Sequence, residues 1–228
     1  MNIRTGHNLF LGTVAFAALL GASAAQAQQT FQVSVDTAPL IGHVNSPFYL
    51  DFQLNWGSGP GNNASVSNFS FGGGSAVGTP NINGLASGDL FSSVALQDNS
   101  SSQFNELFQG FTPGTTLTFD VSLSENQTGQ TPDGFAFAIL DNSTGQIPTS
   151  DPADGLSLVF VNIRGPVSGL GNVNTYVGVN DPIYGDYTGV TASVGPVPVP
   201  EPSTVTLGVC GLALAAATAF ARRRQASV

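Results

Sequence analysis

The sequence predicts an all-β protein: an antiparallel β-sandwich of jelly-roll type, with a signal helix before it and a transmembrane helix after it. Three observations predict this. From Gln28 to about Val194 apolar residues recur with a period of two, the period of a strand with one buried face. The apolar runs are short and separated by turn clusters rich in Gly, Pro and Asn, each residue favouring a tight reversal for its own steric reason. The region contains no convincing soluble helix and no repeat of fixed period, which argues against a propeller or solenoid and for a sandwich.

Residues 1–27 read as a secretory signal. Arg4 and His7 supply the polar start and Leu9 to Ala24 the apolar stretch. Ala25 and Ala27 place small residues at the −3 and −1 positions, so cleavage is expected before Gln28. Such a signal implies passage through the Sec translocon. An uncleaved anchor is the alternative.

In the body, residues 28–194, the clearest strand runs from Phe48 to Trp56. Phe48, Leu50, Phe52, Leu54 and Trp56 share one face, and Tyr49, Asp51, Gln53 and Asn55 the other. The same alternation marks Leu117 to Leu123 and Phe135 to Ile139, while 156–163 is apolar enough for a strand buried on both faces. Shorter candidates are 31–35, 66–71, 91–96 and 176–179. Residues 103–111 fit helical spacing at Phe104, Leu107, Phe108 and Phe111, but are short and hold Gly110, so a strand or irregular edge is favoured. Turns are expected at 57–61, 72–74, 113–114 and 142–145. The length bounds the body to about one domain, at roughly 150 residues each.

Composition narrows the function. There is no lysine, and Arg164 is the only basic residue between Arg4 and Arg222, against thirteen acids from Asp36 to Asp186. Nucleic acid is therefore not an expected partner, because phosphate binding needs a basic surface. Cys210 is the only cysteine, which excludes an intrachain disulfide and leaves burial alone to hold the core. No enzyme is expected. His43 is the only histidine beyond residue 27 and reads as a polar loop residue, no G-x-S-x-G elbow occurs, and Glu106 and Glu125 are the only glutamates of the body. Two carboxylates converging to about 5 to 9 Å would reopen glycoside hydrolysis. The sequons at Asn63, Asn68, Asn99, Asn126 and Asn142 follow from richness in Asn, Ser and Thr.

At the far end, residues 195–202 form a Pro-rich linker. Ser203 to Ala221 is an uncharged run whose helical length, at about 1.5 Å per residue, approaches the ~30 Å hydrocarbon core. Arg222, Arg223 and Arg224 follow at once, and the positive-inside rule keeps them cytoplasmic. This arrangement over residues 199–225, with Val199, Pro200, Glu201 and Pro202 ahead of the apolar helix and the arginines behind it, resembles the PEP-CTERM sorting signal of Gram-negative bacteria. The resemblance implies recognition of Pro200-Glu201-Pro202 by an exosortase, a transient inner-membrane anchor, and delivery to the outer surface or extracellular matrix. The same sorting domain occurs on some ice-binding proteins. The stretch Thr131 to Arg164 is also similar to a segment of uncharacterised PEP-CTERM exported proteins.

Two further groups of residues are candidate sites. Asp133-Gly134-Phe135-Ala136-Phe137 resembles the strand entry of L-type lectins, which implies a sugar-binding role for Asp133 and Gly134; Tyr184 and Tyr187 could stack on the sugar. The alternative is a turn at Asp133 followed by core aromatics. Asp141, Asp151 and Asp154 offer hard oxygens for calcium, the one cofactor considered, although Asp-Pro and Asp-Gly are also ordinary turn formers. The expected role is structural or adhesive in an extracellular polysaccharide matrix. The alternatives are a carbohydrate-binding module and ice binding through a face including Thr115, Thr116 and Thr118.

Overall fold

The computed structural model describes residues 28–59, 61–124, 131–163 and 172–197. The signal residues Ala25 and Ala27 and the sorting residues Val199 to Pro202 and Arg222 to Arg224 lie outside them. In chain order the strands are β1 (Gln28–Asp36), β2 (Phe48–Asn55), β3 (Asn63–Ser70), β4 (Ser75–Asn83), β5 (Ala86–Gly88), β6 (Ser93–Gln97) and β7 (Phe104–Thr112). They continue with β8 (Thr116–Ser124), β9 (Asp133–Leu140), β10 (Val159–Ile163), β11 (Val173–Thr175), β12 (Asn180–Asp181), β13 (Gly185–Asp186) and β14 (Thr191–Gly195). A single 3-10 turn, Ala38–Leu40, follows β1, with Pro39 setting its backbone.

Two antiparallel sheets of six strands pack together as a sandwich. The first has the order β14-β1-β8-β3-β6-β5 and the second β11-β10-β9-β2-β7-β4. Alternation decides which residues meet. Phe31, Val33 and Val35 of β1 and Leu117, Phe119, Val121 and Leu123 of β8 turn inward from the first sheet. Leu50, Phe52 and Leu54 of β2 and Phe135, Phe137 and Ile139 of β9 turn inward from the second. The sheets meet at an aromatic cluster: Phe119 stands 5.4 Å from Phe52 and 4.9 Å from Phe137, centroid to centroid. Both contacts are edge-on, the arrangement the ring quadrupole favours.

Several expectations are modified. The strand buried on both faces is β9, where all eight residues are buried. Residues 159–163 instead alternate between buried and half-buried, with Phe160 and Asn162 on the outer face of the sheet. Asp51, expected to face solvent, is 1 % exposed. Residues 103–111 form β7, whose inward positions are Asn105, Leu107, Gln109 and Phe111. Both amides are fully buried and bonded: Asn105 Nδ2 donates to the Leu54 carbonyl and Gln109 Nε2 to that of Gly78. Residues 176–179 lie between β11 and β12 and form no named strand; they carry isolated bridges at Val177 and Gly178 and further backbone bonds at Tyr176 and Val179. Strands β4 and β14 had no signal in the alternation.

Candidate functional site: the outer face of the second sheet

The registers of β10, β9, β2, β7 and β4 set out the outer face of the second sheet in rows. The first row is Leu140, Tyr49, Gly110 and Val77; the second is Ala138, Asp51, Phe108 and Asn81. The third is Phe160, Ala136, Gln53, Glu106 and Asn83, and the fourth Asn162, Gly134, Asn55 and Phe104. A small-residue column from β9 (Gly134, Ala136, Ala138) therefore lies beside a polar column from β2, with aromatic rings to both sides.

Two glycines let rings lie flat on the backbone. A Cβ on Gly110 would come within 3.8 Å of the Tyr49 ring and 3.1 Å of the Val77 carbonyl oxygen, and one on Gly134 within 3.2 Å of the Phe160 ring. Tyr49 also meets Phe108 edge-on at 6.0 Å. Beside Tyr49 and Gly110 opens a groove of about 340 Å³, lined also by Pro47, Val77, Gly78 and Thr79. That is the lower end of the size range of small-ligand sites.

The polar centre is a carboxyl pair bridged by an amide. Gln53 Nε2 donates to Asp51 Oδ2 at 2.7 Å and to Glu106 Oε1 at 3.4 Å. Gln146, from the turn after β9, donates to the same Asp51 oxygen at 3.2 Å. Asp51 Oδ1 is buried with no hydrogen-bond partner. Burial, reinforced by the charge of Glu106, pushes the Asp51 carboxyl up to about 7, against the lowering effect of the two amides. Burial also raises Glu106 above the usual carboxylate range. Glu106 is half-buried and so remains in reach of a ligand.

The candidate residues from the sequence fall elsewhere; of them, Tyr187 and Asp141 meet through a hydrogen bond. Asp133 opens β9, fully buried. Its Oδ1 accepts from the Gly57 N–H at 2.6 Å and its Oδ2 from Asn62 Nδ2 at 2.7 Å. Asn62 in turn donates its backbone N–H to Asp98 Oδ1 at 2.6 Å, and burial pushes Asp98 up to about 6. The cluster ties the loop after β2 to the start of β9. Gly134, next in the strand, is covered by Phe160. Tyr187 lies beyond the opposite end of β9, fully buried, its hydroxyl accepting from Asn45 Nδ2 and donating to Asp141 Oδ2. Its ring stacks on His43 at 4.9 Å. Tyr184 is exposed.

Each candidate calcium residue closes its own turn. Asp141 accepts from the backbone and hydroxyl of Ser143, Asp151 from the Ala153 N–H, and Asp154 from the Leu156 N–H. Among the described residues no three His, Cys, Asp or Glu side chains group as metal ligands.

These contacts give a direct expectation. Asp133→Ala removes the acceptor of a part-buried N–H on Gly57 and of the buried Asn62 amide, and lowers stability by about 2 to 3 kcal/mol. Urea unfolding measures this. A variant of unchanged stability that lost sugar binding would instead return Asp133 to a ligand-contacting role.

The residues that make up the outer-face site, Tyr49, Asp51, Gln53 and Glu106, were each visible in the sequence but not as a group. The signal of Tyr49, Asp51 and Gln53 was the polar side of an alternating strand, which the chain shares with every half-buried strand, and Glu106 lay in a stretch with helical spacing. Comparison with known proteins finds no family model, no curated protein and no solved structure that matches this chain.

Proposed function

We propose that this chain is an exported, non-enzymatic adhesive protein of the cell surface or extracellular matrix, and that its sandwich holds polysaccharide on the outer face of the second sheet. The carrying observation is the combination on that face of a groove beside the Tyr49 ring with the bridged polar groups of Gln53 and Glu106. Sugar rings present apolar faces and hydroxyl edges together, and this face offers the matching pair. Asp51 argues against glycoside hydrolysis. It converges with Glu106 but is buried, and an acid–base pair needs both members within reach of the scissile bond.

The export route rests on the sequence. Cleavage before Gln28 would retain the described strand β1, Gln28–Asp36. The compact unit ends at Pro196, ahead of the Pro-Glu-Pro motif that resembles a PEP-CTERM signal, as an exosortase substrate requires. The membrane anchor is the apolar run 203–221. A jelly-roll wrap is supported by nested pairings: β1 with β8, β2 with β7 and β3 with β6.

The test is retention of the purified full chain on a polysaccharide panel that includes the host's own matrix. Tyr49→Ala is expected to lose most of the retention, at least tenfold, with its fold intact. Retention by no polysaccharide would overturn the proposal.

Ice binding is a second reading, favoured by one observation. The outer face of the first sheet carries small hydroxyl residues in register, with Ser193, Ser34 and Thr118 in one row and Thr191, Asp36 and Thr116 in the next. A shallow groove of about 370 Å³ there includes Thr115 and Thr116. Thermal hysteresis of a chilled solution would support this reading, and its absence would remove it.

A further inference from the structure

We infer that the polysaccharide held on the second sheet is cationic: a chain of amino sugars carrying free ammonium groups, in contact with Glu106. The inference rests on the proposed glycan-binding role of that face and names its substrate class.

Charge is the first ground. The chain has no lysine, and thirteen acids face a single arginine between Asp36 and Asp186. A polyuronate or sulfated chain would meet repulsion along its whole approach, whereas a polycation is drawn in.

The second ground is the local balance of donors and acceptors. The rows of the face hold two carboxyls, Asp51 and Glu106, and no lysine, arginine or histidine. One amide nitrogen, from Gln53, donates to both carboxyls. The carboxyls of this face therefore have amide partners but no positive charge beside them. A neutral hydroxyl brings one donor together with its own acceptors; an ammonium brings three donors and no acceptor. It also supplies the counter-charge that two neighbouring carboxylates lack.

The third ground is the aromatic wall. Tyr49 and Phe108 stand edge-on to one another at 6.0 Å, and Phe108 lies in the same row as Asp51, on the strand that carries Glu106. Ring faces attract a cation that comes within about 6 Å of the centroid. An ammonium seated on Glu106 would have Asp51 behind it and ring surface beside it. Asp51 touches no ligand in this arrangement; Glu106 is the contacting carboxyl, and the ionised fraction of Asp51 adds to its charge.

The experiment compares glucosamine oligomers of one length in free-amine and fully N-acetylated form, with an alginate oligomer and oligolysine, all binding to the full chain at neutral pH and low salt. The free-amine oligomer is expected to bind about tenfold tighter than the N-acetylated one, the worth of one well-placed charge pair. In Glu106→Gln that ratio should fall to about one. The melting temperature of the variant checks that the fold survives. Equal binding of the two glucosamine forms, or tighter binding of alginate, would overturn the cationic assignment while leaving the glycan role standing. Binding of no oligosaccharide would overturn both. Oligolysine binding as tightly and competing with the amine oligomer would assign the face to a basic peptide and overturn the amino-sugar inference.

Discussion

Phe119→Ala is expected to lower unfolding stability by about 4 kcal/mol, the range for large-to-small changes in a filled core. The residue is fully buried. Its ring is the point where β8 of the first sheet meets β2 and β9 of the second, through Phe52 and Phe137, and Phe69 packs against it at 5.9 Å. Truncation removes one ring from four and leaves a cavity that neighbouring strands cannot close, since each is fixed by its ladder. Edge-on pairs add about 0.5 to 1.5 kcal/mol each beyond area. Domains of this size are stable by only about 5 to 15 kcal/mol, and with Cys210 as the sole cysteine no intrachain disulfide supports this one. The midpoint of urea unfolding should drop with its slope unchanged. A loss below about 1 kcal/mol would mean that the two sheets do not depend on this cluster.

The second large effect is a pH dependence with an unusual sign. Most proteins gain stability as the pH rises from acid, because their carboxylates are better placed in the folded state. Asp51 and Asp98 do the reverse. Their folded values stand at about 7 and about 6, against 3.8 for the unfolded group. Between these limits the folded chain holds a proton that the unfolded chain has released. The contribution of each residue to stability is therefore greatest below about pH 4 and falls through the window. For Asp51 the loss is complete only above about pH 7. Facing Asp51 are Glu106, which raises its value, and the amides of Gln53 and Gln146, which lower it. About three units at about 1.4 kcal/mol each set an upper bound near 4 kcal/mol. Asp51→Asn mimics the protonated form. It should match the wild type near pH 4 and exceed it near pH 8, so the two stability curves diverge on the alkaline side. Parallel curves would show that Asp51 is not the titrating group.

The sequence made the class of fold and its main strands legible because burial there follows period two. Phe48 to Leu54 and Leu117 to Leu123 could be read directly, since every inward residue is apolar. The signal failed where inward positions are polar or outward ones small. In β7, Asn105 and Gln109 point into the core, and the remaining apolar residues then imitate a helix. In β9, Gly134, Ala136 and Ala138 are buried on the outer side because they are too small to rise above Phe160 and Gln53. Strand β4 has its register shifted between Val77 and Asn81 and lies at a sheet edge with no residue fully buried. The candidate site was hidden for another reason. Tyr49, Asp51, Gln53 and Glu106 come from strands about fifty residues apart, and only the pairing of β2 with β7 makes them neighbours. In the Asp-rich loops, conspicuous in sequence, each carboxylate closes its own turn, and Asp141 also accepts from Tyr187.

The position of β1 has a consequence for folding in time. It pairs with β8 on one side and with β14 on the other, joining Gln32 to Gly195. It is the first described strand to leave the ribosome and the last to gain its second neighbour. Contacts so distant in sequence make for slow folding. Until Thr191 to Gly195 arrive, the backbone of Gln32 to Asp36 offers an open edge to any other extended chain, with no lysine anywhere in the protein to guard it. A chain stopped short of β14 would keep that edge permanently, and should self-associate even where its core is otherwise complete.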